Sequence, residues 1–227
     1  MESMNKLVPI VFLVVLGLFF SCERKLDENP IELEFDFQPL EVGNYWVYEV
    51  EETIYFGEND SEDDAYFLQD IIQSTYINEA NEVVFIIQRS KSYDQLEWDP
   101  LEQYTLLRRG NTLIRTIQNQ PVIALVFPPS DGTTWDSNNY LNAPEDLFEL
   151  KTIAANSSNK RIQINQEEAD DLVTYRDHRY EVFEKGIGLV EDYEEVITYC
   201  SRNDCLGDQL IDGGSKLHMT ITEHGKL

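Results

Sequence analysis

Basic side chains are scarce: 17 Lys and Arg stand against 43 Asp and Glu in 227 residues, a formal net charge of −26. That balance excludes a nucleic-acid-binding surface, which needs clustered Lys and Arg to neutralise phosphates. It equally excludes a broad electrostatic contact with anionic lipid headgroups. Histidine is scarcer still, with His178, His218 and His224 the whole supply. His218 and His224 share strand parity, but an extended chain would hold them roughly 20 Å apart, so one metal ion cannot take both unless the chain turns. The chain has three cysteines, Cys22, Cys200 and Cys205. No second thiol pair or nearby histidine pair completes a four-ligand zinc site, and four residues, not two, separate the last two cysteines, which excludes a redox C-x-x-C. No Gly-x-Ser-x-Gly marks a nucleophilic serine. There is no internal repeat and no cofactor motif, so the expectation is no cofactor, no metal and no catalytic residue.

A long apolar run is missing too. The longest, Leu7–Phe20, has 14 residues, short of the roughly 20 that a helix needs to cross a bilayer core. It suits the hydrophobic region of a secretory signal peptide. The run follows Lys6 and ends Phe19-Phe20-Ser21-Cys22, which resembles a lipobox: bulky apolar residues, one small residue, then the cysteine that is acylated. The expectation is a signal peptide over residues 1–21, a lipidated Cys22, and a polar tether over residues 22–30. Glu2 weakens the basic end of the signal, and a start at Met4 would remove it. Two or three acyl chains anchor a protein far more firmly than one. Lys25, Asp27 and Glu28 in the tether resemble the short charged stretch that Bacteroidota lipoproteins use to reach the cell surface, with Leu26 interrupting it. The expected location is therefore the outer membrane, facing the periplasm or the cell surface. Removing residues 1–21 takes away Glu2 and Lys6, so the mature chain keeps its charge of −26. The simplest use of that charge is solubility.

In an oxidising compartment Cys200 and Cys205 are expected to pair. The four residues between them, Ser201-Arg202-Asn203-Asp204, are turn formers, and residues facing each other across a hairpin have the Cα spacing a disulfide requires. So short a loop gives the bond a local role, pinning one turn.

The remaining periodicity is that of strands. Residues 31–38 and 216–223 alternate apolar and polar throughout, and Trp46, Tyr48 and Val50 form one apolar face. Val83–Ile87 and Val122–Phe127 are continuously apolar and suit central strands covered on both sides. Further strands are expected over 67–77, 102–108, 111–118, 161–167, 172–183 and 189–199. Turn signals fall at Gly57–Asp60, Arg109–Asn111, Pro128–Gly132 and Asp212–Gly214. Helix is expected only in short pieces, around 143–150 or 166–172. The fold class is mainly β: a single antiparallel sheet domain over residues 31–227, as a curved sheet, half-barrel or sandwich.

Three stretches carry a resemblance. Residues 39–48, reading Pro-Leu-Glu-Val-Gly-Asn-Tyr-Trp-Val-Tyr, residues 125–142, with Phe-Pro-Pro-Ser-Asp-Gly-Thr-Thr-Trp at their centre, and Tyr180–Val190, ending Lys-Gly-Ile-Gly-Leu-Val, are similar to signatures of a family of exported Bacteroidota lipoproteins. The resemblance implies an exported, β-rich single domain and brings no activity or functional residue.

Candidate sites are few. Glu58, Asp60, Glu62, Asp63 and Asp64 crowd one expected loop, but the spacing is not that of an EF-hand, and an acidic hairpin tip is the simpler reading. Asp131, with Asp136 and Asn138 around Gly132, suits an ion or a polar ligand, or plain turn chemistry. Trp46 and Trp135 sit by strand and turn signals, where aromatics pack the core. Trp98, between Glu97 and Asp99-Pro100, is the best single contact residue, with Trp135 and Asp131 behind it. Three functions follow from different classes. The first is a membrane-anchored, non-enzymatic envelope binding or accessory module. The second is a carrier of a lipid or other hydrophobic ligand in a curved-sheet cavity. The third is a hydrolase using two carboxylates. A filled core favours the first, a large apolar cavity the second, and a cleft with two acids and an aromatic wall the third. The residues name no protein or ligand partner beyond the membrane that a lipidated Cys22 would reach.

Overall fold

Long stretches of alternating side chains, punctuated by residues that tolerate positive φ, give twelve antiparallel strands among the described residues. The computed structural model describes residues 32–58, 60–155 and 160–227. The expected signal peptide, Cys22 and the tether over 22–30 lie outside the described residues. The strands are β1 (Asn44–Gly57), β2 (Asp60–Ile77), β3 (Val83–Ser92), β4 (Asp99–Arg109), β5 (Thr112–Ile117) and β6 (Gln120–Val126), then β7 (Thr134–Asp136), β8 (Leu147–Ala155), β9 (Lys160–Asp170), β10 (Tyr175–Glu184), β11 (Gly188–Tyr199) and β12 (Ile211–Lys226). Turn chemistry sets the connections. Gln118 and Asn119 both have positive φ (50° and 62°), the requirement of a two-residue type I′ hairpin whose twist matches its strands, and Gly110 (φ 58°) serves between β4 and β5.

All twelve strands belong to one sheet, in the order β6-β5-β4-β3-β2-β1-β12-β11-β10-β9-β8-β7. The first and last strands pair along most of their length, from Asn44 with Lys226 to Tyr55 with Gly214. The sheet is therefore a meander whose seam lies at β6 and β7, not at the chain ends. It curls until that seam is nearly shut: the Ile123 amide donates to the Ser137 carbonyl at 3.0 Å, and the Trp135 indole to the Ile123 carbonyl at 2.8 Å.

Period two sends one set of side chains into the ring. Trp46, Tyr48 and Val50 on β1 are all buried, as their alternation implied, with Leu68 and Ile72 on β2, Ile87 on β3, Ile162 and Ile164 on β9 and Phe183 on β10. Eight strands already enclose only enough room for side chains, so twelve leave a wider lumen that something must fill. Large aromatics do part of this. The rest falls to a short 3-10 turn, Phe35–Phe37, before β1. Phe37 is fully buried, and Phe35 meets Phe127 edge-on at 5.0 Å with the Arg108 guanidinium over its ring. Glu34 holds this turn down through Lys160 (2.8 Å) and Lys185 (2.9 Å). Gly188 leaves room for it, since a Cβ there would stand 3.0 Å from Gln38 Oε1.

Several expectations are corrected. The alternating 31–38 segment, of which residue 31 lies outside the described part, is this 3-10 plug and not a strand, because no neighbouring strand offers it a ladder. The helical windows 143–150 and 166–172 lead into β8 and end β9; their sheet partners override a weak local preference. Val122–Phe127 falls at the seam rather than in the middle of the sheet. Asp60–Asp64 begin β2, and Asp212–Gly214 lie within β12, so neither is a loop. Position 214 requires glycine, since its φ is 119° and a Cβ there would lie 2.2 Å from the Val196 carbonyl oxygen across the ladder.

Candidate functional site

The lumen is apolar around the plug and ionic beyond it. Asp70 on β2, 1% exposed, accepts Arg89 Nε at 2.8 Å and Arg89 Nη2 at 2.7 Å, and the Tyr104 hydroxyl at 3.0 Å. Arg115 on β5 reaches across the lumen to Glu181 on β10 at 2.5 Å. Glu181 and Asp192 face each other in the β10–β11 register, and Glu181 Oε2 and Asp192 Oδ1 are buried without a hydrogen-bond partner. Burial, then the charges of Glu181 and Glu194, push the Asp192 carboxyl well above the usual range, against the pull of Arg115 and Arg89. Burial, then Asp70, likewise raises the Tyr48 and Tyr104 hydroxyls, so both remain neutral donors. Such a network could move protons only for a substrate that reaches it. The void beside it, walled by Gln38, Trp46, Tyr48, Tyr104, Arg115 and their neighbours, measures about 20 Å³, room for one water at most.

On the outer face, β10, β11 and β12 carry an aromatic ladder. Tyr180 and Tyr193 stack at 5.2 Å, His178 sits 5.5 Å from Tyr180 and 5.4 Å from Tyr193, and His218 is 5.7 Å from Tyr193. Glu191 ties it together, accepting the Tyr180 hydroxyl at 2.9 Å and lying 3.1 Å from His218 Nε2. His178 and His218 thus act as ring partners, and among the described residues no group of three His, Cys, Asp or Glu side chains is placed to hold a metal.

Two depressions open on the surface near this ladder. One of about 220 Å³ is lined by Glu168, Asp170, Arg176, His178 and Glu195. A larger one, about 410 Å³, lies between the start of β8 and the far end of β9, with Glu145, Asp146, Glu149, Glu167 and Glu168 as its charged walls. It has acids in number and no aromatic wall.

The residues singled out from sequence are dispersed. Trp98 is partly buried in the β3–β4 connection, whose Asp94 side chain caps the Leu96 and Glu97 amides. Trp135 lies at the seam, its ring 6.1 Å from Phe148. Asp131 is exposed, and its carboxylate accepts the Thr152 amide at 2.6 Å. Cys200 and Cys205 form a disulfide with Cα atoms 5.9 Å apart, in the β11–β12 connection. The lumen network escaped sequence reading, though a signal existed: Asp70 stands between Leu68 and Ile72, and Arg115 between Leu113 and Ile117, each a charge on a buried face.

No family model matches the chain, and no curated protein matches it. Among solved structures it is similar to a Bacteroides fragilis NCTC 9343 protein described as exported and of YmcC-like fold. The identity is 9%, with 84% of this chain and 99% of that one covered, at a TM-score of 0.41. It is also similar to a Parabacteroides distasonis ATCC 8503 protein described as a lipoprotein, at 8% identity, 87% and 100% coverage and a TM-score of 0.39. Likenesses this distant carry no argument about what this chain does.

Proposed function

We propose that this chain is an exported, membrane-anchored lipoprotein of the outer membrane that acts as a non-enzymatic binding or accessory module, meeting its partner on the outside of the sheet. The observation that supports this is the filled lumen. The plug, the aromatics and the ion pairs leave about 20 Å³ beside them, against the 300–1,000 Å³ typical of a small-molecule site. A carrier needs an apolar hollow, and here the ring interior is occupied by the protein's own side chains. A two-carboxylate hydrolase needs a cleft that encloses a sugar, and the acid-rich depression on β8 and β9 has no ring to stack one.

Native mass spectrometry of the exported chain, compared with its denatured mass, tests the reading. Equal masses are expected. An adduct that leaves on denaturation would overturn it in favour of the carrier, and its mass would narrow the ligand.

A further inference from the structure

The strands flanking the seam are short, and this leaves part of the sheet without a partner. β8 pairs with β9 only from Lys160 to Asn165, whereas β10 follows β9 as far as Asp170. Gln166–Asp170 therefore have no strand on the β8 side, about 17 Å of open edge, with Glu167–Asp170 paired to β10 and Gln166 set in a bulge before them. Among the described residues, the one hydrogen bond recorded from a backbone amide of this stretch outside the β10 ladder is local, from the Glu168 amide to the Glu167 carboxylate at 3.1 Å. The 410 Å³ groove lies at this edge, lined by Gln166, Glu167 and Glu168 of β9 and by Glu145, Asp146 and Leu147 at the approach to β8. Leu147 is 58% exposed there. Five carboxylates and no Lys or Arg line the groove, although Lys151, just outside it, reaches Glu149 at 3.4 Å.

We infer that the free edge of β9 is a docking site for a basic, extended peptide segment of a partner protein, which adds a strand at Gln166–Asp170. This rests on the binding-module reading and names its partner's chemistry. An open edge offers unpaired amides and carbonyls to any strand, and charge decides which strand is admitted. A second copy of this chain, at −26, is repelled by the five carboxylates. A segment with Lys or Arg at alternate positions carries its cations on one face, beside Glu167 or Glu168 according to register, while its backbone completes the ladder along the acidic groove. Main-chain pairing supplies affinity and the alternate side chains supply specificity, as in other strand-addition complexes.

The test uses the full chain and a fluorescent hexapeptide, Lys-Val-Lys-Val-Lys-Val. Its comparisons are the same peptide N-methylated at alternate amides and a Glu-Val version. Saturable binding of the parent is expected, at least tenfold weaker after N-methylation and absent for the Glu-Val peptide. Glu167→Lys/Glu168→Lys should weaken it at least tenfold. Glu58→Lys/Glu62→Lys, with the same change in charge on the β1–β2 hairpin, should change it less than threefold. Hydrogen exchange should slow at 166–170 on binding. The site is overturned if N-methylation makes no difference, if both double variants weaken binding equally, if protection appears elsewhere in the sheet and not at 166–170, or if the parent peptide does not bind. None of these outcomes touches the binding-module reading, which fails only on the adduct described above.

Discussion

Removing the Arg89 guanidinium measures how dry the lumen is. Asp70 is 1% exposed and takes two hydrogen bonds from Arg89 and one from Tyr104. Arg89→Met leaves the carboxylate buried with the Tyr104 hydroxyl alone. Breaking one side of a buried pair costs about 3–5 kcal/mol, because the remaining charge is uncompensated. For a domain of this size each kcal/mol lowers Tm by about 2–4 °C, so the fall should be about 6–20 °C. Urea unfolding followed by tryptophan fluorescence, extrapolated linearly, gives the free energy directly. The triple variant Asp70→Leu/Arg89→Met/Tyr104→Phe removes every member of the cluster and should return to within about 2 kcal/mol of the parent, since replacing a whole buried pair with apolar groups is often neutral. A loss under about 1 kcal/mol for Arg89→Met would refute the reasoning. It would mean that water enters the lumen and solvates Asp70, and the case against an interior ligand site would fall with it.

Three further outcomes follow from the same geometry. Phe37→Ala should cost about 3–5 kcal/mol, the usual loss for a buried phenylalanine, and a chemical-denaturation loss below about 1 kcal/mol would show that the plug is dispensable. Asp192 has its folded pKa raised above the unfolded value of 3.8, so the folded state holds the proton more tightly. Its contribution is full below pH 3.8 and declines as pH rises toward the folded pKa, with a slope of at most about 1.4 kcal/mol per pH unit. Asp192→Asn should remove that part of the decline, and an unchanged stability–pH curve between pH 4 and 8 would contradict the burial. Gly214→Ala forces both a φ of 119° and a 2.2 Å contact with the Val196 carbonyl. It should destabilise by more than about 1–3 kcal/mol, the cost of the backbone strain alone, and a calorimetric Tm within 2 °C of the parent would count against it.

The legible part of the fold was what a strand encodes locally. Trp46, Tyr48 and Val50 could be placed on one buried face because period two admits no other arrangement, and turn residues such as Gly57 and Gly110 marked where strands reverse. Pairing is not local. Residues 31–38 alternate as faultlessly as β12, yet Phe35 and Phe37 use that alternation to fill the lumen, because no partner strand lies beside them. Nothing in Val122–Phe127 distinguishes the middle of a sheet from its seam, since the hydrogen bond from the Ile123 amide reaches Ser137 through a fold closed by ten other strands. The charged cluster lay closer to the surface of the sequence. Asp70 and Arg115 break apolar faces at the correct parity, and with strand boundaries in hand each reads as a buried charge in need of a partner. Which partner is a matter of three dimensions: Arg115 meets Glu181 across 66 residues of chain.

Twelve strands make a ring wide enough to hold a ligand, and this chain fills it with its own side chains. Its N-terminal turn contributes Phe37, and Arg89 and Arg115 each neutralise a carboxylate of their own lumen. A protein selected to carry a hydrophobic molecule would leave that space apolar and empty, since every buried ion pair must repay the desolvation of its charges. The plug and the ion pairs brace the ring from within, which favours the proposed recognition on the outside. There the acidic composition acquires a use beyond solubility. An open strand edge is ordinarily a hazard, and carboxylates along Gln166–Asp170 both keep identical copies apart and select a strand of opposite charge.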